Sequence, residues 1–246
     1  MNPKTLILIP GATGKMGETF FKKLSKSKKY QCVGLTSNPE KETKNILLAN
    51  LLNSDEIKNL FKKINFDLYS EIYLIHSIGP FIFEEKGKPI EDKDGDGIDD
   101  KIYNLNFLTF KNIARELINL SNKNQISLTL VAFGSISDRY NVPLWNSYSK
   151  SKNLLRFFMR ESINKIIRGV FINVGSTEKE EERPYANKKY WLTCKEVMER
   201  SLRPIFDKNL NWQEVDIFKP SPDYYKGFFE NHESLRKRWI HDMYGK

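Results

Sequence analysis

Tyr148 and Lys152 stand four residues apart at the head of a segment continued by Leu154, Leu155, Phe158 and Met159 at helical spacing. A phenol and an amine at that separation share one helix face. A phenol with an unperturbed pKa near ~10 is a poor proton donor or acceptor at neutral pH, and an adjacent ammonium favours its charged form. Thirteen residues before Tyr148, Ser135 follows an apolar, β-branched run over 126–133, so its hydroxyl stands at the end of a strand. Together the three groups could exchange a proton with a carbonyl or alcohol oxygen and hold that oxygen in place. With eleven tyrosines in a lysine-rich chain, Tyr185 and Lys189 form a second pair of the same spacing, but the equivalent position before Tyr185 is Ile172. The strand-end serine therefore selects Tyr148 and Lys152.

Such chemistry needs a scaffold that brings strand ends and helix starts to one edge. Residues 6–9 read as a short apolar strand, followed at once by Gly11-Ala12-Thr13-Gly14-Lys15-Met16-Gly17 and a helix over 18–25. Glycines in a strand-to-helix turn let a diphosphate approach the backbone, and the amides of the helix start face the anion. The second strand, 31–36, ends in Thr36-Ser37-Asn38, with no carboxylate before Glu40. An acid at that end would favour NAD, so its absence, with Lys15 in the turn, favours NADP and leaves NAD as the alternative.

Further strands are expected over 46–52, 71–75, 169–174 and 215–218, with helices over 54–64 and 195–206 and the Tyr148 helix running to about 165. The fourth strand ends in His76-Ser77-Ile78-Gly79, a second place where backbone can pass close to a ligand at Ser77 and Gly79. A lone histidine there reads as structural. Asn104 and Asn106 begin a helix whose Phe107, Phe110, Ile113, Leu117 and Leu120 recur at core spacing. This alternation gives an α/β fold, a doubly wound parallel sheet in one domain over 1–218, with every candidate site at the carboxyl edge.

Three segments interrupt the pattern. An insertion over 84–101 contains Asp92, Asp94, Asp96 and Asp100, with glycines between, which is either a short calcium loop or a solvated acidic segment; Tyr103 stands where an EF-hand loop needs Glu. Residues 176–193, including Glu180, Arg183, Lys188 and Lys189, read as a lid over a ligand. The tail, 219–246, holds Tyr224, Tyr225, Phe228, Phe229 and Trp239 beside Arg236 and Arg238, and is expected to pack on the body.

At 246 residues, 39% apolar and 13% aromatic, the chain can bury a substantial core. Its net charge of +9 is spread over many helices, with no basic face interleaved with aromatics, so no nucleic-acid partner is expected. There is no apolar run long enough to span a membrane and no secretory leader pattern at the amino end, so a cytoplasmic location is the expectation. Cys32 and Cys194 read as free thiols.

In this order and spacing the motifs resemble the short-chain dehydrogenase/reductase family over roughly residues 4–218. Gly11, Gly14 and Gly17 resemble its cofactor turn in the spacing of the extended and atypical branches. His76-Ser77-Ile78-Gly79 is a looser match to Asn-Asn-Ala-Gly. Asn106, followed by Thr109 and Phe110, resembles the active-site Asn, with Asn104 the fallback. Ser135, Tyr148 and Lys152 match the catalytic triad, and Asn173-Val174-Gly175-Ser176-Thr177 resembles the segment that meets the nicotinamide. The resemblance implies an NAD(P)-dependent oxidoreductase in which Tyr148 is general acid or base. Ser135 orients the substrate oxygen, Lys152 assists the tyrosine and holds ribose, and Asn106 completes a proton relay. Thr13, Lys15, Met16, Ser37, Ser77, Gly79, Val174 and Thr177 would join the glycines at the cofactor. It also implies a homo-oligomer through the helices of Asn106 and Tyr148, and a small carbonyl or alcohol substrate, for which the lid cations suggest an anion. The alternatives are an NADP(H)-binding sensor and a nucleotide-sugar epimerase or dehydratase.

Overall fold

The computed structural model describes residues 4–84, 86–140, 142–178, 183–222 and 227–246. Its centre is a seven-stranded sheet built from β1 (Lys4–Pro10), β2 (Tyr30–Thr36), β3 (Ile46–Leu48), β4 (Tyr69–His76), β5 (Ser127–Ser135), β6 (Ile167–Val174) and β7 (Trp212–Ile217). The strands lie in the order β3-β2-β1-β4-β5-β6-β7, every neighbouring pair parallel. Strand order reverses between β1 and β4, the switch point at which such sheets open a crevice beyond their carboxyl ends.

Helices α1 (Lys15–Leu24), α2 (Ser54–Lys62), α3 (Asp100–Tyr103), α4 (Thr109–Asn124), α5 (Asn146–Glu161), α6 (Cys194–Phe206) and α7 (His232–Tyr244) follow in chain order. The sheet is buried on both faces because its strands alternate: Leu6 and Leu8 join one apolar cluster with α2, α4 and α5, while Ile7 and Ile9 join another with α1 and α6. Among the described residues no helix is long and apolar enough to cross a membrane. Cys32 and Cys194 are free, buried thiols.

Three local departures from the expected elements have physical causes. β3 stops at Leu48: after a last ladder bond from the Ala49 amide to Thr36 O (2.9 Å) the chain turns at 51–52, and Leu51 enters the core. A π-helical turn, Asn104–Leu108, joins α3 to α4 and turns Asn106 fully inward. At the start of α5 the N-cap position is Trp145, which supplies no side-chain cap. The carboxylate of Glu84 does this work instead, accepting the Ser147 amide at 3.3 Å and a short bond from the Ser147 hydroxyl. A carboxylate at a helix amino end also faces the favourable end of its dipole.

The tail, 219–246, contains α7. Phe228, Leu235 and Trp239 form a third apolar cluster with Val142, Leu144 and Trp145, although Tyr224, Tyr225 and residues 179–182, including Glu180, lie outside the described residues. Arg183 and Asp242 fix this arrangement: the pair, 3% and 1% exposed, is in direct contact, and Arg238 reaches the same carboxylate at 3.0 Å. Removing one partner of such a buried pair costs about 3–5 kcal/mol. Asp242→Asn should lower the unfolding free energy by that amount in a denaturant melt; a loss below about 1 kcal/mol would show the pair to be incidental.

His76 ties the end of β4 to α4. Thr109 gives its hydroxyl proton to Leu105 O (2.8 Å), so His76 Nε2 must be the donor in its 2.9 Å bond to Thr109 Oγ1. Burial, reinforced by the Lys152 charge, pushes the imidazole from the usual 6.5 down to about 3. The unfolded chain therefore binds the extra proton between those values, and stability falls as pH drops below about 6.5. Between pH 7 and pH 5 this group should contribute about 2 kcal/mol of lost stability, from about 1.4 kcal/mol per pH unit. In His76→Gln that part of the slope should vanish; identical slopes in the two proteins would refute it.

Candidate active site

The turn after β1 is shaped by what it lacks. Gly11 has φ +78, a conformation costly for other residues, and a Cβ on it would lie 3.2 Å from Ile78 N. A Cβ on Gly17 would lie 2.2 Å from Gly11 O and 2.5 Å from Ser77 Oγ, so the turn can close only around glycine. Ser77 fastens it from β4, its hydroxyl donating to Pro10 O at 2.7 Å. Gly14 is the N-cap of α1 with no side-chain cap, leaving the first amides of that helix to another acceptor. Thr13 bonds to Thr36 at 3.0 Å, which fixes the turn against the end of β2, where Ser37 and Lys15 are exposed.

Ser135, Tyr148 and Lys152 line one cleft with Met16, Ser77, Gly79, Val174 and Thr177. Lys152 is 2% exposed, and its ammonium lies 5.3 Å from the centroid of the Tyr148 ring. Gly79 passes so close that a Cβ there would sit 3.1 Å from Lys152 Nζ and 3.4 Å from Asn106 Oδ1. Asn106 gives its amide hydrogens to Pro80 O (2.9 Å) and Ile102 O (3.2 Å), and Oδ1 is buried with no donor among the described residues. The structure thus brings Asn106, rather than Asn104, to Gly79 and Lys152. Tyr185, by contrast, is 60% exposed and lies outside any helix, so its spacing from Lys189 places nothing on a common face.

Behind Ser135 lies a set of charges that sequence spacing does not reveal. The Ser135 amide donates to Asp138 Oδ2 (3.4 Å), Asp138 pairs with Arg156 (2.8 Å), and Arg156 reaches Glu214 (3.1 Å). Arg139 joins Glu214 and Asp216 at 3.0 and 2.9 Å, and the Asn173 amide donates to both acids. Burial raises the Asp138 carboxyl above its ordinary value against the pull of Arg156. Apart from the local bond between Ser135 and Asp138, these contacts join α5 to the ends of β5, β6 and β7, and their partners are too far apart in sequence for any periodicity to mark them.

The segment expected as a lid is held at both ends. Thr177 pairs with Leu192 as an isolated bridge, and the Leu192 amide bonds to Ser176 O at 2.9 Å. Arg183, expected to be solvated or to meet an anion, is instead 2% exposed, donates to Ser176 Oγ (2.8 Å) and lies over the rings of Trp239 (4.3 Å) and Trp191 (5.1 Å). Lys188 and Lys189 are exposed and outside the cleft lining. In the insertion, one carboxylate oxygen from each of Asp92, Asp94 and Asp96 lies within 4.8 Å of the others, all exposed. Those acids already accept the loop's own amides, Gly95 and Gly97 on Asp92 and Ile98 on Asp96, while Asp100 turns to Lys93 N.

No family model matches the sequence, and no curated protein matches it either. Solved structures do match the fold. A short-chain dehydrogenase from Burkholderia cenocepacia in complex with NADP is 13% identical, with TM-score 0.68 over 98% of this chain and 99% of that one. For 4-hydroxyisoleucine dehydrogenase complexed with NADH the values are 18% and 0.68 over 90% and 100%. For serine dehydrogenase from Escherichia coli they are 14% and 0.67 over 89% and 100%. With a parallel sheet of this order, a glycine turn at its switch point and near-complete overlap with these enzymes, the chain has the short-chain dehydrogenase/reductase fold.

Proposed function

We propose that the chain is an NAD(P)-dependent oxidoreductase that moves a hydride between a nicotinamide and a carbonyl or alcohol carbon. The observation that carries this reading is the meeting of Ser135, Tyr148 and Lys152 in one cleft, with Asn106 Oδ1 and Lys152 Nζ both facing the backbone at Gly79. A dinucleotide fits the residues present: the turn at Gly11, Gly14 and Gly17 offers backbone without side chains, and the α1 amides have no side-chain cap. When bound, the nicotinamide supplies or accepts the hydride.

In reduction, the Tyr148 hydroxyl gives its proton to the substrate oxygen while the Ser135 hydroxyl holds that oxygen; in oxidation, Tyr148 takes the proton back. The Lys152 ammonium stabilises negative charge on the phenol oxygen. Asn106 Oδ1, a buried acceptor with no donor among the described residues, suits a water that returns the proton towards Lys152. Val174 and Thr177 at the end of β6 support the nicotinamide side of the cleft. Tyr148→Phe should cut turnover by about 10³-fold. Cofactor affinity, read by energy transfer from tryptophan to the reduced nicotinamide, should stay within a few-fold. A fully active Phe variant would remove Tyr148 from this role.

NADP is the preferred cofactor in this reading. The end of β2 presents Thr36, Ser37 and Asn38 with no carboxylate, and Thr36 is occupied by Thr13 and by the Asn38 amide (3.1 Å). Exposed Lys15 supplies the positive charge that a 2′-phosphate needs. NADPH should bind at least about tenfold tighter than NADH, roughly 1.4 kcal/mol, and Lys15→Ala should bring the two affinities close together. Equal affinities in the unaltered protein would overturn the preference.

A further inference from the structure

From the proposed catalytic phenol outwards, the cleft is walled by rings in series. Phe81 meets Tyr148 edge to face at 5.6 Å and 89°. It also meets Trp145 at 4.5 Å and 66°, and Trp145 stacks on Trp239 of α7 at 4.8 Å and 22°. Tyr190 and Phe229 extend the lining. The wall therefore combines a loop after β4, the start of α5 and the carboxyl-terminal helix.

Apart from Lys152 beside the phenol, the cations along this wall already face carboxylates. Arg139 is held by Glu214 and Asp216, Lys219 by Glu196 at 2.7 Å, and Arg183 and Arg238 by Asp242. A substrate carboxylate would lose its water against apolar ring faces and compete with these acids for every guanidinium. A flat, uncharged ring gains on both counts, since aromatic rings attract one another edge to face and in offset stacks. The cleft holds about 260 Å³, and a cavity of about 150 Å³ takes one benzene, so there is room for a flat ring against this wall.

We propose that the substrate is an uncharged, planar ring-bearing carbonyl compound, or the corresponding alcohol, lying along Phe81 and the edges of Trp145 and Trp239. This rests on the oxidoreductase reading above. In reduction, a hydride from the reduced nicotinamide forms the new C–H bond at the carbonyl carbon. The carbon–oxygen π bond breaks onto oxygen, and that oxygen takes the Tyr148 proton. The products are a ring-bearing alcohol and the oxidised nicotinamide, and the phenolate regains its proton from solvent.

The test is calorimetric binding of three aldehydes to the full chain loaded with NADP⁺: benzaldehyde, 4-carboxybenzaldehyde and cyclohexanecarbaldehyde. The proposal expects benzaldehyde to bind at least tenfold tighter than either of the others. An equal or reversed ranking overturns it, as does failure of benzaldehyde to bind a protein that holds the cofactor. Failure to hold NADP⁺ or NADPH is a different result: it removes the oxidoreductase reading, and the substrate proposal falls with it. In Phe81→Leu, with NADP⁺ still bound as the sign of an intact fold, the preference for the planar over the saturated ring should shrink to within about threefold; an unchanged preference would deny Phe81 its place in the wall.

Discussion

A buried ammonium sets the terms for the rest of the site. Lys152 is almost wholly out of water, in a region where a charge interacts far more strongly than at the surface. Its neighbours are arranged accordingly. Gly79 has no side chain because a Cβ would press on the ammonium and on the Asn106 amide. His76 is held neutral by burial and by the same charge, and spends its N–H on Thr109. The π-helical turn rotates Asn106 inward, so that a neutral acceptor rather than an apolar side chain faces this corner. Sheet, turn and helix meet here, and each accommodates the ammonium in a different way.

A second set of contacts closes the outside. Asp242 lies on the carboxyl-terminal helix, Arg183 within segment 176–193, and Trp145 begins the helix of Tyr148, yet all three share one buried cluster of charge and rings. A guanidinium tolerates this setting because its flat faces pack on indoles while its edge bonds to the carboxylate. That segment and the tail are thus fastened to the element that carries the phenol. The acidic insertion reaches the same helix, through Glu84 at its amino end and through the Asp99 amide on the Ser147 hydroxyl at 2.7 Å. Departures from a plain α/β repeat converge on the first turn of α5.

Legibility in the sequence followed the range of the interaction. The strands and the glycine turn could be read because alternation, helical spacing and glycine punctuation are local signals, and Tyr148 with Lys152 because four residues make one turn. Asn106 was legible by resemblance, but the π turn that aims it was not, since nothing in its residue types separates it from an ordinary helix. Glu84 as a helix cap, Arg156 behind Asp138 and the fastening of Arg183 to Asp242 could not be read, because their partners are joined by the fold and not by spacing. Arg183 misled for the same reason. A lone arginine in a charged segment looks solvated until its carboxylate arrives from another element.

The paired charges bear on how the phenol is influenced. Arg156, Arg139, Arg183, Lys219 and Arg238 all lie within or behind the cleft, and each is held against a carboxylate. A cation beside its counter-charge acts at a distance as a dipole, whose influence falls off much faster than that of a single charge. Tyr148 has Lys152 at 5.3 Å from its ring and Phe81 edge to face with it at 5.6 Å. The influence at the phenol is then set at short range by one ammonium, while the arginines fix geometry. Uncharged walls are the natural complement of such a centre: they exclude water and bring no second charge to compete with Lys152.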